Sequence, residues 1–313
     1  MTTAAIPPAS SSKLLDDCVR EGRQGEVLPR AEDRCRACGS PELFAIRCRG
    51  DHRVLRCRPC GFLTIKTGID EERLDDVYQD YLPTDPAEIA SWEREQRPVI
   101  GRALKELARL APGRRLLEIG AGFGFFLEAA RTAGFEVDGL EPSASGRRHA
   151  REQFGLELRA TPLADSAVAD ASLDVVCAFY VIEHLADPRA FLHEVARVLA
   201  PGGLVLVRWP HTTPLARCLD ALRIRHDLYH APWHLSDFTP ETAQRLLEQT
   251  GFERVATRTL GGSAAGGRLG SLVSRGAAVV SDALERLSRG RFHLPGVSKT
   301  TWGFRRPAVF DPV

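Results

Sequence analysis

Four of the eight cysteines in this 313-residue chain form two close pairs, Cys35/Cys38 and Cys57/Cys60, with 18 residues between Cys38 and Cys57. Each pair is Cys-x-x-Cys followed by a glycine, Gly39 or Gly61. Four thiolates on two short loops are the donor set tetrahedral Zn²⁺ takes, and each glycine permits the turn that aims backbone N–H groups at sulfur. Four sulfurs leave no open coordination position, so this zinc is expected to be structural and not catalytic. Cys48 and His52 are not expected to ligate. A second chemical feature is Glu118-Ile119-Gly120-Ala121-Gly122-Phe123-Gly124. A dinucleotide loop would place its third glycine at position 125, where Phe125 stands. No Lys-Ser/Thr follows, as a P-loop would need. The pattern is G-x-G-x-G two residues after an acid.

Groups able to move a proton near neutrality are His184, His211 and His234, with Glu183 and Tyr180 beside the first. Each histidine also reads as a hydrogen-bonded group that merely shapes a pocket. The arginines Arg217, Arg223 and Arg225 read as a solvated face or as anchors for an anionic acceptor.

These residues need a frame to hold them. From residue 113 onward, apolar runs alternate with amphipathic stretches: RLLEI, FFLEAARTA, EVDGL, SGRRHAREQF, LELRA, DVVCAFY, Pro188–Leu199, then LVLVRW. That order predicts a parallel sheet with helices on both faces. Asp187-Pro188 and Thr239-Pro240 are helix starts, and Gly134 and Gly251 sit where helices end. The expected domains are an irregular lead over 1–33, a zinc ribbon over 34–66 and a helical connector over 67–112. An α/β core follows over 113–260, with a lid at 211–235. A helix near Leu269–Leu287 and a last strand make up 261–313.

Lys+Arg 42 against Asp+Glu 41 gives a formal charge of +1, which argues against wholesale polyanion binding. No apolar run reaches the roughly 18–20 residues of a membrane span. The N-terminal residues do not read as a signal peptide, so a cytoplasmic protein with reduced thiols is expected.

The glycine loop resembles motif I of the class I S-adenosylmethionine-dependent methyltransferases, E/D-x-G-x-G-x-G. Four further stretches match that family in order: Val137–Ser143 with its terminal Glu141, Ser172–Val176, Val181–Leu185, and Leu199–Gly203. His234–Thr239 is similar to the family's last core segment. The resemblance covers 113–255. It implies a Rossmann-like, doubly wound, mostly parallel seven-stranded sheet with a small N-terminal zinc ribbon. It also implies cofactor contacts from Glu118, Gly120, Ala121, Gly122, Gly124, Glu141, Pro142, Leu163, Phe179 and Tyr81. Glu141 is expected to hold both ribose hydroxyls and Glu118 the methionine amino group. Where relatives carry an acid near the adenine, this chain has Ala164, and Asp165 is the substitute. An N-terminal ribbon before this fold resembles bacterial methyltransferases acting on sugars and other small metabolites. Tyr78–Tyr81 is similar to a connector those enzymes close over the cofactor, although the longer C-terminal domain of the deoxysugar C-methyltransferases is missing.

The implied function is methyl transfer from S-adenosylmethionine to oxygen, nitrogen or carbon of a small molecule, in specialised-metabolite or sugar biosynthesis. His184, His234 and His211 are its candidate catalytic residues, and a homodimer is the default assembly. An RNA or protein methyltransferase that reads its substrate through the ribbon is a second reading. A non-catalytic cofactor-binding scaffold is a third. Balanced charge and the lack of an N-P-P-Y/F motif weigh against nucleic acid.

Overall fold

The computed structural model describes residues 33–49, 52–66, 81–222, 224, 226, 228–230, 233–259, 276, 279–281, 283, 284, 287, 288, 293, 294 and 297–307. Three short strands come first: β1 (Leu43–Arg49), β2 (His52–Cys57) and β3 (Leu63–Lys66). They pair antiparallel in chain order. Helix α1 (Pro86–Leu110) follows. Asp85 caps it by accepting from the Ala87 and Glu88 N–H groups, and Pro86 sits at its start. It lies within the stretch, 67–112, expected to be a helical connector. The strong cap starts it at Pro86, and it continues through Pro98.

The core then runs β4 (Arg115–Ile119), α2 (Phe125–Thr132), β5 (Glu136–Leu140), α3 (Ala144–Phe154), β6 (Leu173–Phe179), α4 (Pro188–Val198) and β7 (Leu199–Trp209). It closes with α5 (Thr213–Ala221), β8 (Ser236–Asp237), α6 (Pro240–Gln249), β9 (Phe252–Arg258) and β10 (Lys299–Arg305). The main sheet has the order β5-β4-β6-β7-β10-β9. Its first four strands are parallel, and β10 lies antiparallel between β7 and β9. This is the expected α/β arrangement, with six strands among the described residues where seven were expected. The run LELRA contributes only a single parallel bridge, Leu140 to Arg159. The Arg159 guanidinium is tied to Asp138 and to the Ser166 carbonyl. Pro162, which has no N–H, soon follows, so the edge cannot lengthen.

Alternation along the strands sorts side chains to two faces. Leu117, Val176, Val205 and Val207 pack with Leu192 and Val195 of α4 and Leu246 of α6. Leu116, Val175, Leu204 and Leu206 pack with Leu107 of α1, Phe126 of α2 and Ala150 of α3. Covered on both sides, these strands are near-continuous apolar runs, as central parallel strands must be.

The cysteine-bearing segment is not an appendage. Strand β3 pairs with β8, Leu63 opposite Asp237 and Thr64 opposite Ser236, so a strand of the core completes the small sheet. Cys35, Cys57, Leu55 and Phe62 share one apolar cluster with Trp209 and Phe238. Arg189 of α4 donates to the Ala37 carbonyl at 3.1 Å, and Arg36 donates to the Ala186 carbonyl. Most of the helix expected near Leu269–Leu287 lies outside the described residues. No described helix is long and apolar enough to cross a membrane.

Candidate active site

A cavity of about 1550 Å³ opens at the carboxyl ends of β4, β5, β6 and β7, the edge where α/β sheets bind ligands. Its floor is the turn after β4. Gly120 has φ +71°, and a Cβ there would meet Val181 Cγ2 at 2.5 Å, so only glycine fits. Gly122 has φ +55° with nothing within 4 Å of its missing Cβ. Its N–H donates to Glu141 Oε2 at 2.7 Å. Ser143 N–H donates to Glu141 Oε1 at 2.8 Å. Each Glu141 oxygen thus has one backbone donor and a remaining lone pair.

Glu118, at the end of β4, is 3% exposed, and its Oε2 has no hydrogen-bond partner among the described residues. Burial, reinforced by the Glu141 carboxylate, raises its carboxyl well above the ordinary range. Burial also raises Glu141, against the pull of the Ser143 and Gly122 N–H groups. Two buried carboxyls facing one cavity are what a cationic, hydroxyl-rich ligand would discharge.

The other end of the cavity is assembled from distant segments. After β6, Tyr180 takes φ +58°, and a short turn, Ile182–His184, follows. Glu183 is 1% exposed, and burial pushes its carboxyl up to about 8. His184 Nδ1 lies 2.9 Å from the Trp233 carbonyl, and its ring meets the His234 ring edge to face at 4.9 Å. Burial lowers His184 and, with His184 and His230 as neighbours, pushes His234 down to about 3. The Leu235 N–H donates to the Glu183 carbonyl at 2.8 Å, and Ile65 N–H of β3 donates to the Leu235 carbonyl at 2.9 Å. The small sheet therefore holds the segment that carries His234. Tyr81 and Trp92 meet edge to face at 6.3 Å and also line the cavity.

The four cysteine sulfurs lie within 4.8 Å of one another. Cys35 to Cys60 and Cys38 to Cys57 are each 3.5 Å, close to the roughly 3.7 Å that Zn–S bonds of about 2.3 Å give in a tetrahedron. Gly39 and Gly61, at φ +71° and +76°, donate back to the Cys35 and Cys57 carbonyls. The cluster is self-consistent as a closed cation site.

Of the expected cofactor residues, Glu118, Gly120, Ala121, Gly122, Glu141, Pro142, Leu163, Phe179 and Tyr81 all line the cavity. Gly124 does not. At φ +83° it starts α2, and a Cβ there would press to 3.0 Å from Ala150 Cβ of α3, so it serves helix packing. Asp165 is exposed and outside the lining. Among the expected histidines, His184 and His234 line the cavity. His211 is 4% exposed and packs on Trp209 outside the lining. The anchoring side chains of Arg217, Arg223 and Arg225 lie outside the described residues.

Sequence reasoning missed five residues in or behind the site. Trp92, Gln96 and Val99 line the cavity from α1. Their i, i+4, i+7 spacing was the available signal. Arg147 also lines it and donates to the Glu141 and Pro142 carbonyls. Arg208 is wholly buried at the end of β7 and donates to the Tyr180 hydroxyl at 2.8 Å and to Thr300 Oγ1 at 3.1 Å. A charge closing the run LVLVR at a strand's carboxyl end was the clue.

A family profile described as a methyltransferase domain matches residues 92–257, more than half of the chain. The chain is similar to an S-adenosylmethionine-dependent methyltransferase of Mycolicibacterium smegmatis, at 33% identity over 53% of this chain and 61% of that protein. It is also similar to the ubiquinone biosynthesis O-methyltransferase of Caulobacter sp., at 37% identity over 38% of this chain and 50% of that protein. In both cases the match spans less than two thirds of the relative's length. Among solved structures, a chain from the complex of the Haloferax volcanii Trm112 methyltransferase activator with a methyltransferase shares the fold. Its TM-score is 0.51 at 19% identity, over 77% of this chain and 100% of that one.

Proposed function

The chain belongs to the class I S-adenosylmethionine-dependent methyltransferases, and from that membership we propose that it methylates a small-molecule acceptor at oxygen, nitrogen or carbon, with a hydroxyl oxygen favoured. One observation carries the reading. A single cavity joins the Glu118–Gly122 turn and Glu141 to the buried corner of Glu183, His184 and His234. Its 1550 Å³ exceeds the roughly 300–1,000 Å³ of a one-ligand pocket, leaving room for cofactor and acceptor together. The similarity to an O-methyltransferase supports oxygen, and the ribbon-bearing resemblance supports an acceptor from specialised-metabolite or sugar biosynthesis.

Bound S-adenosylmethionine supplies an activated methyl group on a sulfonium centre. This chain's residues position it and exclude water. Glu118 would accept from the methionine amino group, and Glu141, braced by two backbone N–H groups, would take the ribose hydroxyls. Leu163 and Phe179 would wall the adenine end, with Tyr81 over the mouth. His184 and His234, with Glu183, would handle the acceptor's proton or the charge its departure leaves. Cys35, Cys38, Cys57 and Cys60 would hold a structural zinc, whose ribbon keeps the His234 segment in place.

Calorimetric titration with S-adenosylmethionine and S-adenosylhomocysteine tests the reading. Wild type binds both. Glu141→Ala loses about 100-fold or more in affinity, since each of two charge-assisted hydrogen bonds is worth about 1.5–3 kcal/mol. Its unfolding temperature reports whether the loop survives the change. Folded wild type that binds neither ligand, or a folded variant with full affinity, overturns the assignment.

A further inference from the structure

We propose that Glu183, His184 and His234 form a second metal site, separate from the cysteine cluster, which takes a divalent transition cation at the acceptor end of the cavity. A carboxylate oxygen and one nitrogen from each ring lie within 4.8 Å of one another. Bonds of about 2.0–2.2 Å bring such atoms within about 4.4 Å, so small side-chain rotations suffice. Two imidazoles and a carboxylate suit Zn²⁺, Fe²⁺, Co²⁺ or Mn²⁺. Mg²⁺ and Ca²⁺ prefer oxygen alone.

Two independent observations point to a ligand. Among the described residues Glu183 Oε2 has no hydrogen-bond partner, although the residue is 1% exposed and lines the cavity. An unsatisfied carboxylate oxygen at that depth is costly, and a cation removes the cost. Second, a carbonyl can only accept, so the 2.9 Å contact of His184 Nδ1 with the Trp233 carbonyl makes Nδ1 the donor. That tautomer leaves the lone pair on Nε2, the arrangement in which proteins orient metal-binding histidines. The Leu235 N–H to Glu183 carbonyl bond ties the two ligand-bearing segments together.

Three protein ligands leave coordination positions toward the cavity, unlike the closed four-sulfur cluster. The role of the ion rests on the methyl-transfer reading above, whereas its binding does not. A divalent charge there favours ionisation of an acceptor hydroxyl beside it. The hydroxyl proton leaves to solvent at the cavity mouth, the oxygen lone pair forms the O–CH₃ bond, and the S–CH₃ electron pair returns to sulfur as S-adenosylhomocysteine leaves.

Cobalt titration of the full chain, with its ribbon metal measured beforehand, tests the site. Co²⁺ should add one equivalent with visible d–d absorption but no added near-ultraviolet thiolate charge transfer, because no sulfur is a ligand. Glu183→Gln and His234→Ala should each weaken this equivalent by about 100-fold or more, as loss of one of three ligands would. Both should retain the ribbon metal, which shares the core and so reports folding. Wild type without that equivalent overturns the proposal, leaving Glu183 as a counter-charge to buried Arg208. So does an equivalent that survives in both folded variants. Titrating S-adenosylmethionine into the same samples separates the two readings. Cofactor binding without the second cation sinks only the metal site, and the cation without cofactor binding sinks only the methyl-transfer reading.

Discussion

The two ends of the cavity are built by different means. The cofactor end is nearly local: β4, its turn, the start of α2 and the end of β5 lie within residues 115–143 and bring Glu118, Gly120, Gly122 and Glu141 together. The acceptor end draws on the turn after β6, the segment before β8 and, behind that, the cysteine-bearing sheet. A local site can be inherited intact, while a composite one changes whenever any contributor changes. The contrast explains how one loop pattern serves many acceptors, and it predicts that the two ends fail separately.

The largest expected effect comes from removing the zinc proposed for the four cysteines, by chelation or by Cys57→Ser. A structural four-thiolate zinc contributes on the order of 10 kcal/mol to its own folding unit. Loss of that order should free β3, and with it β8 and the His234 segment. Hydrogen exchange should then show lost protection at Ile65 and Leu235, while Leu116–Ile119 in the central sheet stays protected. Equal loss at both ends would break the comparison and make the molecule one cooperative unit.

A smaller effect sharpens the cofactor end. Gly120→Ala meets Val181 Cγ2 at 2.5 Å and holds a positive φ, a combination worth roughly 3–5 kcal/mol in lost stability. Gly122→Ala has a free path for its methyl group, so it should cost only the backbone strain of about 1–3 kcal/mol. Cofactor affinity, measured by calorimetry, should fall in both. Thermal denaturation that ranks the two alike would mean the turn relaxes around Val181.

The same division governs what the sequence disclosed. The glycine spacing, the acids at 118 and 141 and the alternating apolar runs are short-range signals, and the structure brings nearly all of those residues to one cavity. Gly124 fitted the same pattern but packs α2 against α3, because spacing does not distinguish a glycine that faces a ligand from one that faces a helix. The β3–β8 pairing was invisible: two residues, Ser236 and Asp237, carry no periodicity, and their partner lies more than a hundred residues away. LELRA failed as a strand for the opposite reason. Its composition is strand-like, but its edge is closed by Arg159 and Pro162.

The smallest predicted effect concerns His211, which sequence reasoning grouped with the two cavity histidines and which the fold assigns to the core. Burial, with Lys299 and His293 adding repulsion, holds its imidazole down to about 4 from the ordinary 6.5. Between those values the unfolded chain takes up a proton that the folded chain refuses. Stability from this residue is therefore full above pH 6.5 and declines as pH falls toward 4, by up to about 2–3 kcal/mol. His211→Gln is similar in size and has nothing to titrate. Urea unfolding at pH 7 and pH 4.5 should show a smaller drop for the variant than for wild type, while cofactor affinity at pH 7 stays the same. A histidine serving the reaction would give the reverse, an unchanged pH dependence of stability and a changed one for turnover.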